Sequence, residues 1–398
     1  MSNIEQGYVD AARRWQAAAP AIERTRALGP AAETIERKEA FLQHQLDTRA
    51  GAALWAGVRP PALFEQFGTE RVLATNDLLS FDTLLKAIAI GRFVGQVCRR
   101  EAAADGTSRL RPLATGSMVS PRLLLTNHHV LGSAQEAAGA AVRFDYQLGE
   151  EGQPLPTSVF SLVPDEFFVT DTLLDYTMVA VAPTADEGTP LAHFGWNRLN
   201  PKQGKILCGY PVNIIQHPEG DYKQIVLSNN KVLDLVEHSF LYEADTLPGS
   251  SGAPVFSRQW ELVALHRRGV PCVIDGAIVT RGGQAWHEGI PESEIRWIGN
   301  EGTRVSSLVR HLLQVSLAGH QDLLRRELAL PPPQPFLVAR QARGEQDATL
   351  RAPPARRLPP QAGSGLAVVD AGAAAVTLTI PVRLAITIQA TVSGPREG

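Results

Sequence analysis

Residues 248–256 read PGSSGAPVF. Two glycines bracket a pair of serines, and a proline leads straight into an apolar run. Gly249 permits a turn that residues with a Cβ resist, and Gly252 leaves room beside Ser251. A nucleophilic serine needs a neighbouring base and backbone N–H groups free to meet an oxyanion. The amides of Gly249 and Ser251 are the donors that this loop offers.

The flanking sequence has the texture of short strands. RFVGQVC (92–98), GSMVSPRLLLT (116–126), AAVRFDYQL (140–148), YTMVAVA (176–182), GKILCGYP (204–211), KQIVLSNNKVLDLV (223–236), APVFS (253–257) and ELVALH (261–266) are β-rich and broken by Gly, Pro, Asn and Asp. Such runs from Phe93 to about Val279 predict an all-β sandwich or a pair of barrels. Two of them carry chemistry. SPRLLLTNHHV (120–130) ends a strand by presenting a histidine, and LLDYTMVAV (173–181) sets an Asp ahead of a strand. Asp175 would hold the ring of His129 so that its other nitrogen faces Ser251.

Helical spacing dominates residues 1–55, around Ile22–Leu28 and Ile35–Leu46, with Pro20, Gly29–Pro30 and Pro60–Pro61 as punctuation. Residues 77–93 predict a helix feeding a strand. Residues 303–317 set Val305, Leu308, Val309, Leu312 and Leu313 on one helical face. A Pro-rich linker runs from PPPQP (331–335) through PPARRLPP (353–360), and 376–392 alternates with period two, as a strand does. The chain therefore divides into a helical region (1–90), a β-rich domain (91–330), a linker (331–375) and a strand-forming tail (376–398).

The 398 residues carry a net charge of −3 with a pI near 6.4, which argues against a nucleic-acid partner held by overall charge. Five arginines against two acids in 340–357 read as a solvated linker. The 44% hydrophobic content fits a folded protein. Cys98, Cys208 and Cys272 cannot make a disulfide scaffold and fit a reducing compartment. Glu5, Asp10, Arg13 and Arg14 interrupt the first residues, and no apolar run reaches the eighteen or so needed for a membrane span. A soluble, cytoplasmic protein without membrane association is expected. His193, His217, His238 and His287 lack paired metal spacing, and no phosphate loop or dinucleotide fingerprint occurs, so neither metal nor cofactor is expected.

The order His, Asp, Ser with these flanks resembles the trypsin-like (chymotrypsin-fold) serine peptidases. TNHHV and LDYTMV resemble the glutamyl endopeptidase branch of bacterial members more than digestive trypsins. Longer stretches, among them NIIQHPEGDYKQI (213–225), WELVALHRRGVP (260–271) and NEGTRVSSLV (300–309), resemble an uncharacterised bacterial group of intracellular members, over about 65–315. The resemblance implies a mainly β fold of two antiparallel β-barrels. The first, about 91–183, would give His129 and Asp175; the second, about 190–300, would give Ser251, with a 303–327 helix packed across it. It implies a serine endopeptidase that cleaves a protein or peptide substrate through an acyl-enzyme. The N-terminal helices and C-terminal tail are expected to dock a partner protein. The alternative is a catalytically silent binding or regulatory module on the same fold.

The resemblance also selects among neighbours. In T-N-x-H-V the histidine before Val is the base, so His129 is chosen and His128 faces the other way. Ser251, not Ser250, matches G-x-S-G; Asp175, not Asp171, precedes the Tyr-Thr-Met strand. Digestive relatives place an Asp at Ser250 to capture a new N-terminus, so that activation switch is not expected. Asp245 stands where trypsins bind a basic side chain, while Thr246 and His266 match residues that bind an acidic one. An Asp245–His266 hydrogen bond would neutralise both. A buried unpaired carboxylate is best satisfied by a substrate cation, so the balance favours a basic residue before the scissile bond. Arg267 and Arg268 read as rim charges of the cleft, one of them suited to a substrate carboxylate.

Overall fold

The computed structural model describes residues 3–49, 82–102, 108–227 and 230–333. The linker beyond 333, the 376–392 segment and the Pro60–Pro61 pair lie outside the described residues. Helices α1 (Asn3–Leu28), α2 (Ile35–Arg49) and α3 (Asp82–Gly91) precede the β-rich region. The first sheet comprises β1 (Val94–Ala102), β2 (Ser108–Met118), β3 (Leu123–Thr126), β4 (Ala140–Phe144), β5 (Ser158–Ser161), β6 (Phe168–Asp171) and β7 (Tyr176–Ala180), with the short helix α4 (Ala134–Ala138) between β3 and β4. Its strand order is β5-β4-β1-β2-β3-β7-β6, antiparallel throughout. The sheet curls until the ends of β5 and β7 meet in a Leu162–Val181 bridge.

The second sheet uses β8 (Val212–Gln216), β9 (Gln224–Val226), β10 (Lys231–Leu235), β11 (Ser239–Glu243), β12 (Pro254–Ser257) and β13 (Leu262–Pro271). A small ribbon, β14 (Val273–Ile274) and β15 (Ala277–Ile278), precedes its last strand, β16 (Trp297–Arg304). The order is β10-β11-β16-β13-β12-β8-β9, and a Pro211–Lys231 bridge brings β8 back to β10. The expected pair of antiparallel barrels is therefore the observed architecture.

Three elements differ from the sequence reading. GKILCGYP forms no strand: the chain turns there, with Gly209 at φ +79°, and the strand starts only at Val212. Pro20 does not end α1, which runs through it. Ala11, Trp15, Ala18 and Ile22 recur at helical spacing and pack on Leu233, Leu241 and Val270 of the second sheet, which outweighs one missing backbone donor. The C-terminal helix is two helices, α5 (Val305–Gln314) and α6 (Gly319–Arg326). α5 leaves β16 and lies beside β13, and its Val305, Leu308, Val309 and Leu312 enter a hydrophobic core that joins first-barrel residues to Phe256, Trp260, Leu262 and Leu265 of the second.

Candidate active site

Ser251 lies near the end of the loop between β11 and β12, His129 follows β3, and Asp175 directly precedes β7. These positions converge in space. His129 Nε2 lies 3.0 Å from Ser251 Oγ. On the other side of the ring, Nδ1 lies 2.9 Å from Asp175 Oδ2, and the His129 backbone N–H donates to Oδ1 at 3.0 Å. Asp175 is 2% exposed and adopts a left-handed φ of +50°; Asn127 Nδ2 donates to its carbonyl at 2.8 Å and fixes that turn. Burial alone would raise its pKa. The hydrogen bond and charge of His129, then Arg267 and Arg268, outweigh burial and hold the carboxyl well below the usual carboxylate range.

The neighbours not chosen have other work. His128 Nδ1 pairs with Thr170 Oγ1 at 2.8 Å. Asp171 Oδ1 accepts from Leu174 N at 2.7 Å, closing the turn that delivers Asp175. Ser250 is buried and its hydroxyl accepts from Leu247 N at 3.1 Å.

The backbone around Ser251 is equally constrained. Pro248 O accepts from Glu219 N, and in a trans peptide this turns the Gly249 N–H to the opposite side. Ser250 O accepts from Ala253 N at 3.0 Å, which orients the Ser251 N–H in the same manner. Neither N–H donates to a protein group among the described residues. Gly249 has φ +96°, and a Cβ there would stand 2.6 Å from His217 O. At Gly252, φ +78°, a Cβ would meet Thr115 O at 2.2 Å. Both glycines are required by close backbone approach.

Several supporting residues carry no sequence signal. Thr115 donates its hydroxyl to Gly249 O at 2.9 Å, accepts from His217 N at 3.0 Å, and donates its own N–H to Ser251 O at 2.9 Å. Arg267 Nε and Arg268 Nη2 reach Asp175 Oδ2 at 3.2 and 3.1 Å. Their side chains are only 14% and 17% exposed, so they are not the rim charges that the sequence implied. They follow His266 on β13, where the strand must pass behind Asp175.

The residues expected to meet the substrate side chain fall into two groups. Thr246 Oγ1 donates to Asn300 Oδ1 at 2.7 Å, and His266 Nδ1 lies 2.6 Å from the Tyr242 hydroxyl. Burial, with the charges of His129 and Arg268, pushes the His266 pKa down to about 3. Asp245 is exposed, and its carboxylate makes no hydrogen bond among the described residues; the Asp245–His266 bond does not form. An exposed Asp245 needs no substrate cation to satisfy it, so it does not favour a basic residue before the scissile bond.

Comparison with known proteins agrees with this architecture. The chain is 36% identical over 258 residues to an uncharacterized protein, y4fB, of Sinorhizobium fredii (strain NBRC 101917 / NGR234). The match covers 60% of this chain and 38% of that protein, so this chain spans well under half of its relative's length. Residues 114–265, which hold His129, Asp175 and Ser251, match the family model of the trypsin-like peptidase domain, and this supports the chymotrypsin-fold serine peptidases as the family of the β-rich domain.

Proposed function

We propose that the protein is a serine endopeptidase of the glutamyl-endopeptidase-like branch, acting on a protein or peptide substrate through Ser251, His129 and Asp175. One observation carries the reading: Ser251 Oγ stands 3.0 Å from a histidine whose other ring nitrogen is held by a buried carboxylate. In the first step Ser251 Oγ attacks the scissile carbonyl carbon while His129 Nε2 takes its proton. The carbonyl oxygen becomes an oxyanion facing the N–H groups of Gly249 and Ser251. His129 returns the proton to the amine as the C–N bond breaks, leaving an ester on Ser251. Water then attacks that ester by the same route, and His129 restores the serine hydroxyl. Asp175 stays ionised and keeps the imidazole in the required tautomer.

The resemblance assigns Thr246 and His266 to the residue before the scissile bond, and Asn300 holds the Thr246 hydroxyl. His266 is held neutral there, so it serves as a hydrogen-bonding group at neutral pH. Unpaired Cys98, Cys208 and Cys272 accord with a reducing compartment.

A fluorophosphonate probe tests the reading. The unaltered protein should label on Ser251 and cleave a mixed peptide library; Ser251→Ala should do neither while keeping its circular dichroism spectrum. A folded, unaltered protein that neither labels nor cleaves would be a silent module on this fold.

A further inference from the structure

Three guanidinium groups and two carboxylates are gathered where α1 crosses β13 and β16. Arg14 and Glu301 satisfy each other: Nε to Oε1 is 2.6 Å and Nη2 to Oε2 is 2.7 Å, with Ser239 Oγ also donating to Oε1. That leaves Arg267 and Arg268 sharing a single acceptor, Asp175 Oδ2. Their donors are far from spent. Arg268 Nε is buried without a partner, and Arg267 uses only Nε among the described residues. Burial, reinforced by Arg268 and Arg14, pulls Arg267 below the usual arginine range despite Glu301 and Asp175. Within these five groups three guanidinium groups share two carboxylates.

Both arginines form the floor of a cleft of about 510 Å³. One wall is the first turns of α1, at Gln6, Gly7 and Asp10; the other is the Thr172–Leu174 turn with His238. Asp10 is engaged on its own helix by Gln6 and Arg13, and Glu237 stands exposed at the edge. The guanidinium of Arg268 packs directly on Gly7. The Thr172–Leu174 wall runs directly into Asp175, and Asp175 and His129 link the floor to Ser251 by consecutive hydrogen bonds.

We propose that this cleft is a second recognition site for the substrate, which takes the carboxylate of an Asp or Glu two or more residues from the scissile bond, with Arg267 as its principal donor. The proposal rests on the peptidase reading above. The planar fork of a guanidinium matches a carboxylate with two parallel N–H donors, and Arg267 spends only Nε within the protein among the described residues. Because α1 forms a wall, the N-terminal helix becomes part of the substrate site.

A glutamate scan tests this on the full chain. Quenched peptides carry one Glu at each position within four residues of the scissile bond, excluding the residue just before it, and each has a Gln twin. At one or two adjacent positions Glu should raise kcat/KM about tenfold over Gln, the scale of one charge-assisted hydrogen bond. Arg267→Gln should bring that ratio to about one; the ratio is the readout, because Arg267 also touches Asp175. Gln6→Glu, which adds a repelling charge to the cleft wall, should lower the same ratio severalfold. A ratio near one at every position in the unaltered protein, or a ratio that survives Arg267→Gln, overturns the proposal. If hydrolysis and fluorophosphonate labelling are both absent, both readings fall; labelling and hydrolysis without a Glu preference remove only the cleft.

Discussion

Thr115 sits on β2 in the first barrel, and its hydroxyl and N–H both serve the loop of the second. Its hydroxyl bonds Gly249, 134 positions away in sequence, its N–H bonds Ser251, and its carbonyl accepts from Thr126 Oγ1 at 2.9 Å. Thr115→Val keeps the shape and removes the hydroxyl, leaving Gly249 O and His217 N without that partner. Loss of one neutral hydrogen bond costs about 1 kcal/mol, and more where the groups are buried. The expected result is a fall in kcat of about tenfold with KM nearly unchanged, measured on a small peptide ester; an unchanged kcat would show that the loop holds itself. Ser251, His129 and Asp175 were legible because each sits in a short motif whose chemistry is local. Thr115 and Arg267 were not, because what they do depends on backbone and carboxylate groups brought by distant strands. Asp245 shows the opposite limit: its position in the motif was readable, its exposure was not.

At the scale of elements, α1 is the part whose role changed most between sequence and structure. Its Ala-rich face was legible as helix, but helical spacing does not say what the face covers. The structure gives it a sheet to cover and an ion pair to complete. Glu301 is fully buried, whereas Arg14 is about one-third exposed. Arg14→Met would strand a buried carboxylate, so we expect a loss of about 2–4 kcal/mol at pH 7, discounted for the partial exposure of Arg14. Urea denaturation measures it. Arg14 and Ser239 hold the Glu301 pKa below its unfolded value against the opposing effect of burial. This pair's contribution is therefore present above about pH 4.3, the unfolded value, and fades as pH falls below it. The gap between the unaltered protein and Arg14→Met should narrow over that range, and Arg14→Met with Glu301→Met should recover much of the loss. A gap that is already negligible at pH 7 would mean that α1 docks by its apolar face alone.

For the molecule as a whole, the pair of barrels was readable from strand texture, but their closure was not, since two bridges between remote strand ends decide it. Acid stability belongs to this scale. His217 and His266 are both buried, and burial pushes each pKa down to about 3. The unfolded chain takes up these protons near pH 6.5 and the folded one does not, so stability falls as pH drops from about 6.5 toward 3. Two such groups give a slope of about 2–3 kcal/mol per pH unit below the unfolded value. Urea midpoints taken between pH 7 and 4.5 should decline accordingly; a flat series would mean that both imidazoles accept protons in the native state. The placement of α5 adds a consequence in time. Leu308 and Leu312 belong to the core shared by the two barrels, and they follow the last strand of the second. A ribosome delivers the chain from its N-terminus, so His129, Asp175 and Ser251 have all emerged while the core between the two barrels still lacks α5. The three chemical groups are synthesised early, and their frame is finished late.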